Sequence, residues 1–131
     1  IAQLETSIQR SESEGTFTSH QFHSAVFEEE HAYLAGEFWR DIQFGEFAAA
    51  VPQGGETQDA FVLKLDPEGD AQDFYHISGA GYERVSDLAF DDEGDLWLCG
   101  FFNQTLIYGD STYTSTGFYD AFAMHLTEAG P

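Results

Sequence analysis

The chain has 131 residues and a mass near 14.6 kDa, the size of one ordinary domain. Lys and Arg number 4 against 24 Asp and Glu, so the formal charge is −20, which excludes nucleic-acid binding through a basic patch and disfavours anionic membrane surfaces. Apolar residues at 42% and aromatics at 16% are enough to fill a core; no apolar run reaches the roughly 18 residues of a membrane span, and a single Cys, Cys99, excludes an intrachain disulfide and a Cys-based zinc site.

In chain order the segments read as short strands separated by turns. Residues 4–8 form the first, followed by a Ser/Glu/Gly-rich loop from Arg10 to Gln21. Strands follow at 22–27, 32–38 and 42–44. Phe47-Ala48-Ala49-Ala50-Val51 reads as one helical turn at most before Pro52. Ala60-Phe61-Val62-Leu63-Lys64-Leu65 is an apolar strand, and Asp66-Pro67-Glu68-Gly69 carries the type I turn signature of Pro second and Gly fourth. Further strands lie at 74–77, 85–90, 96–99 and 106–108, with Asp91-Asp92-Glu93-Gly94-Asp95 as a hairpin connection. No segment sustains a 3.6-residue period, so the fold is all-β.

The chain is an internal duplication. Asp59, Ala60, Phe61, Leu65 and Gly69 match Asp120, Ala121, Phe122, Leu126 and Gly130 at an offset of 61. Leu34, Gly36, Phe38 and Gly45 match Leu98, Gly100, Phe102 and Gly109 at 64; Ala2, Gln3 and Ile8 match Ala71, Gln72 and Ile77 at 69. The offsets place the first repeat at 1–69 and the second at 70–131, with extra residues in the first at 10–21 and around Pro52-Gln53-Gly54-Gly55. Phe61, Val62 and Leu63 are consecutive apolar residues, as are Leu96, Trp97 and Leu98, which is the pattern of sheets buried on both faces.

The strings D-A-F-V-L-K-L-D-P-E-G, S-G-A-G-Y-E-R-V-S-D-L-A-F-D and D-E-G-D-L-W-L-C-G-F-F resemble the bacterial β-propeller repeat often called the SBBP repeat. The similarity is clearest over 59–109; Glu28-Glu29-Glu30-His31 departs from it and is one residue shorter. The resemblance implies two tandem four-stranded antiparallel blades of a secreted or cell-surface bacterial protein, with no catalytic residues. Two blades do not close a ring, since propellers use roughly four to eight. The expected completions are a homo-oligomer, further repeats of a longer chain, or packing of the two units on each other as a small sandwich. Ile1 in place of Met, and no signal-peptide pattern, lead to the expectation of a processed form or a segment of something longer.

No hydrolase, zincin, P-loop or dinucleotide-binding motif is present, so a non-enzymatic structural or interaction module is expected. The candidate ligand loops follow each G-x-F: Trp39-Arg40-Asp41, and Asn103-Gln104 before Thr105. There Trp39 would stack on a sugar ring while Arg40 and Asp41 bond hydroxyls, giving a lectin-like glycan binder as the alternative function. Asp91, Asp92 and Asp95 around Gly94 are a candidate calcium site, against the simpler reading of an Asp/Gly turn. Asp59 and Asp120 are expected to cap turns, Cys99 to be buried in its strand, and His20 and His23 to lie in a loop. Glu37 and Asp41 are the remaining acid pair for hydrolytic chemistry. The acidity fits two settings: high salt, where the Debye length falls to roughly 3 Å at about 1 M and self-repulsion fades, or an extracellular medium with divalent cations.

Overall fold

The computed structural model describes residues 20–28, 30–50 and 57–126. Among them are eleven strands: β1 (His20–Glu28), β2 (His31–Phe38), β3 (Ile42–Phe44), β4 (Phe47–Ala49), β5 (Asp59–Leu65), β6 (Ala71–Ile77), β7 (Glu83–Phe90), β8 (Leu96–Phe102), β9 (Thr105–Tyr108), β10 (Ser111–Thr114) and β11 (Asp120–Leu126). The first sheet is antiparallel in the order β1-β2-β5-β6, and the second is β7-β8-β11. Hairpins β3-β4 and β9-β10 sit between the second and third strands of each. The described residues contain no helix and do not close a barrel or ring. Among the described residues no helix is long and apolar enough to cross a membrane.

Strands β1 to β5 have counterparts in β7 to β11, down to an irregularity; the expected strand at 4–8, the loop at 10–21 apart from its last two residues, and the stretch 52–55 lie outside the described residues. β1 shifts register between Phe22 and Ser24, and β7 shifts between Val85 and Asp87. Beside each bulge stands a glycine of the partner strand. A Cβ on Gly36 would lie 1.8 Å from the Gln21 carbonyl oxygen, and one on Gly100 would lie 1.8 Å from that of Arg84. The bulge presses one backbone onto the next, and only glycine fits there.

Phe47–Ala49, expected as a helical turn, is instead strand β4, paired Ile42↔Ala49 and Phe44↔Phe47 with β3. The positive φ of Gly45 (59°) makes the tight turn between them, so a hairpin outcompetes a helical turn too short to nucleate. β6 begins the second sequence repeat yet completes the first sheet. The sequence boundary at 69/70 and the step between sheets at 78–82 are therefore one strand apart.

Each sheet has two distinct faces. The hairpin face of the first sheet carries Leu34, Phe38, Phe61 and Leu63, which pack with Ile42 and Phe44 of β3-β4. Its far face carries Ala35, Ala60, Val62, Tyr75 and Ile77. Phe61 and Leu63 thus point one way and Val62 the other, which is why the run is apolar throughout. In the second sheet the counterparts of the hairpin face are Leu98, Phe102, Phe122 and Met124, with Leu106 and Tyr108 of β9-β10. These residues pack against the far face of the first sheet, and β7 lies across β1, β2 and β5. The far face of the second sheet is open: Trp97, Cys99, Ala121 and Ala123 are exposed. Cys99 is therefore not buried as expected. Its strand is apolar on consecutive positions, but only the Leu96 and Leu98 side meets another sheet.

Candidate functional site

The two candidate ligand loops lie at one end of the molecule. Trp39-Arg40-Asp41 joins β2 to β3, and Asn103-Gln104 joins β8 to β9. The ends coincide because Gln58, just before β5, bridges Tyr82, just before β7. Trp39 is half-buried, while Arg40, Asp41 and Gln104 are exposed. Asn103 is engaged in a latch: its Oδ1 accepts the Tyr82 N–H at 2.7 Å, and its own N–H donates to the Tyr82 carbonyl at 3.1 Å. The Ala80 N–H donates to Thr105 Oγ1 at 2.9 Å, so the connection 79–82 is zipped onto 103–105. Gly79 and Gly81 permit this, since a Cβ on either would lie 2.0 Å from the Thr105 carbonyl oxygen or Asn103 Oδ1. Gln104 holds φ +61°, a left-handed conformation that a non-glycine residue adopts only under local constraint. Its carbonyl accepts the Ser115 N–H at 2.8 Å. The two loops therefore differ in build: the second is a structural latch, and only the first presents a charged pair.

Asp91, Asp92 and Asp95 lie at the opposite end, across the length of β8. Asp91 Oδ1 accepts the N–H groups of Glu93 (2.9 Å) and Asp95 (3.0 Å), and Oδ2 accepts Trp97 Nε1–H (2.9 Å). The Trp97 bond, followed by the backbone bonds, lowers the pKa of this exposed carboxyl. The turn at Asp66 has the same wiring, with Glu68 and Asp70 N–H groups on Asp66 Oδ1 at 3.0 and 2.9 Å. A side-chain-capped turn thus accounts for Asp91 without an ion. Ligand atoms of Asp91, Asp95 and His125 do come within 4.8 Å of one another, whereas Asp92 stays outside the group. That set offers two carboxylates, one already holding three N–H donors, and an imidazole, where calcium wants six to eight oxygens.

Sequence reasoning did not anticipate the polar side chains buried between the sheets. His20 and His23 belong to β1, not to a loop. His23 Nε2 meets Glu37 Oε1, and Arg84 of β7 reaches across the sheets, with Nη2 3.2 Å from His23 Nδ1 and Nε 3.7 Å from Glu37 Oε2. The guanidinium also lies 5.7 Å from the centre of the Phe101 ring. Ser24 Oγ donates to Asp87 Oδ1 at 3.0 Å beside it. Glu37 is thus buried in an inter-sheet clamp while Asp41 is exposed in the loop. The two repeated aspartates also part company. Asp120 caps its turn by accepting the Thr116 N–H at 3.0 Å, as expected. Asp59 is fully buried, with Oδ2 2.6 Å from His76 Nε2.

Glu83 is the most unusual of these groups. It is wholly buried at the start of β7, and neither carboxyl oxygen has a hydrogen-bond partner. Burial, with the charge of Asp59 adding to it, pushes its pKa from 4.5 up to about 9, so it carries a proton at neutral pH. A Cβ on Gly79 would lie 2.4 Å from Glu83 Oε1, so the carboxyl is packed directly against a glycine backbone. Nothing in the string G-Y-E-R-V marks this glutamate as buried, although its counterpart in β1, His20, is buried too.

No family model, curated protein or solved structure matches the chain.

Proposed function

We propose that this protein is a non-enzymatic, SBBP-type propeller repeat module of a secreted or cell-surface setting, which works by assembling with copies of itself through its sheets. The supporting observation is the way its own two sheets meet. The hairpin face of one packs on the far face of the other, two different surfaces joined head to tail. Such a heterologous contact repeats until it closes into a ring or runs on as a filament. The second sheet still offers the surface that the first has used. Its far face shows Trp97 at 43% exposure, with Cys99, Ala121 and Ala123 beside it. Catalysis is not part of the proposal: the acids Glu37, Asp59 and Glu83 are buried, with Glu37 held by His23 and Asp59 by His76. Sedimentation equilibrium tests the reading. Masses at multiples of 14.6 kDa are expected; a monomer persisting to about 100 μM would count against it.

A further inference from the structure

The two repeats differ at one matching place. In the first, Asp59 opens β5, Phe61 follows it on the same face, and β6 runs alongside. The Phe74 ring of β6 stacks on Phe61 at 5.7 Å and on Phe47 at 6.4 Å, with Phe44 at 6.1 Å. Two residues on, His76 sets Nε2 2.6 Å from Asp59 Oδ2 and its ring 5.2 Å from that of Phe38. In the second repeat the counterparts of Asp59, Phe61 and Phe38 are Asp120, Phe122 and Phe102, and those of Phe44 and Phe47 are Tyr108 and Ser111. β11 has no described neighbour on its outer edge, and a cavity of about 340 Å³ lies beside it, lined by residues including those five and Tyr113.

The two walls of the cavity are a sheet and a hairpin. Asp120 stands directly across from Phe102 in the β11-β8 ladder, so both share a face with Phe122, whose ring lies 6.3 Å from that of Phe102. Tyr108 pairs with Ser111, and Leu106 with Tyr113, so these four turn one face of the β9-β10 hairpin towards that sheet. Asp120 is the one formally charged residue of the lining; the rest is aromatic, aliphatic or hydroxyl-bearing. Its Oδ2 accepts the Thr116 N–H at 3.0 Å, and among the described residues no group engages Oδ1. A volume of this size is at the low end of small-molecule sites, with room for one ring and a short chain.

We infer that this cavity binds a small primary ammonium ion with an aromatic body. Its N–H groups would meet Asp120 beside the Phe102 ring, where His76 stands in the first repeat, and its own ring would stack on Phe122 in the slot that Phe74 fills there. Three features select this chemistry. A carboxylate with an open oxygen, set against aromatic rings, attracts a cation and repels an acid. The first repeat meets the same carboxylate with a nitrogen donor and the same ring with a ring. The change from Phe47 to Ser111 takes away a bulky side chain at the slot, which leaves it room for an added molecule.

Isothermal titration calorimetry of the full chain with 2-phenylethylamine, at pH 7 and about 0.15 M salt, tests this. Three controls separate its parts: 2-phenylethanol has the ring without the charge, ethylamine the charge without the ring, and 3-phenylpropanoate the opposite charge. One amine per chain is expected, with a Kd on the order of 1 mM or tighter, at least about tenfold below that of any control. Ethylamine binding as well as the arylamine would mean that the net charge of −20 alone attracts the amine. Equal binding of the alcohol or the acid would mean a slot indifferent to charge. Either result overturns the inference, as does a titration without saturation up to about 20 mM. Two variants, each checked for folding by its urea midpoint, locate the ligand. Asp120→Asn keeps an oxygen for the Thr116 N–H, and should weaken the amine about tenfold while leaving the alcohol unchanged. Ser111→Phe restores the side chain that Phe47 supplies in the first repeat, and should abolish amine binding. Unchanged amine binding in either folded variant overturns the assignment.

Discussion

Replacing Glu83 by Gln should stabilise the protein, and by more as the pH rises. The carboxyl is fully buried, lacks partners, and titrates near 9 in the folded chain against 4.5 ordinarily. Between these values the native state holds a proton that the unfolded chain releases. Stability therefore falls as pH climbs from 4.5 towards 9, with a limiting slope of about 1.4 kcal/mol per unit. At pH 7 the full linkage would be about 3 kcal/mol, and relaxation and water penetration reduce it to roughly 1–3 kcal/mol. Gln has the same shape and no charge to lose, so Glu83→Gln should recover that amount at pH 7 and little at pH 5. The assay is urea unfolding of both proteins at pH 5, 6, 7 and 8 at fixed ionic strength. Taking the difference between the two proteins removes the general repulsion of a chain with charge −20, which also grows with pH. A difference that does not grow with pH, or a variant less stable than the parent at pH 8, would refute the reasoning.

Gly36→Ala and Gly100→Ala should each cost about 2 kcal/mol or more, because the new Cβ meets a backbone oxygen that cannot rotate away; urea midpoints would show it. Phe61→Ala should cost about 3–5 kcal/mol in the same measurement, since the ring is fully buried among Phe22, Phe38, Phe44 and Phe74. Calcium or a chelator should move the melting temperature by less than about 1 °C, as the Asp91 carboxylate already holds three N–H donors. A calcium-dependent rise of several degrees that Asp95→Asn abolished would reinstate the ion.

Much of the fold was legible because its signals are local. The type I turn at Asp66–Gly69 shows the expected bond, Gly69 N–H to the Asp66 carbonyl at 2.9 Å. The apolar run 61–63 announced burial on two faces, and the first sheet delivers it. Leu96-Trp97-Leu98 made the same announcement, and one of its faces is open. Periodicity reports which residues suit an interior, not whether a partner sheet is there to cover them. Phe47–Ala49 misled because three residues are too few to show a period, and the φ of Gly45 decided for a hairpin. Of the candidate site residues, Asn103 and Asp91 are accounted for by the backbone groups they bind. Those bonds span 21 residues in one case and two in the other, and only the shorter is the kind a turn signature encodes.

By itself, then, the sequence determined that this chain is all-β, that residues recur in it at fixed offsets, and where its turns at Asp66–Gly69 and Asp91–Asp95 fall, since each depends on a few neighbouring residues. Only the tertiary structure decided that β6 completes the sheet of the preceding repeat and that the two sheets meet by unlike faces. It alone decided that Glu83 is sealed off from water and that Asp59 is buried against His76. These outcomes depend on which surfaces approach across dozens of residues, and a carboxyl loses its water only when another sheet arrives to exclude it.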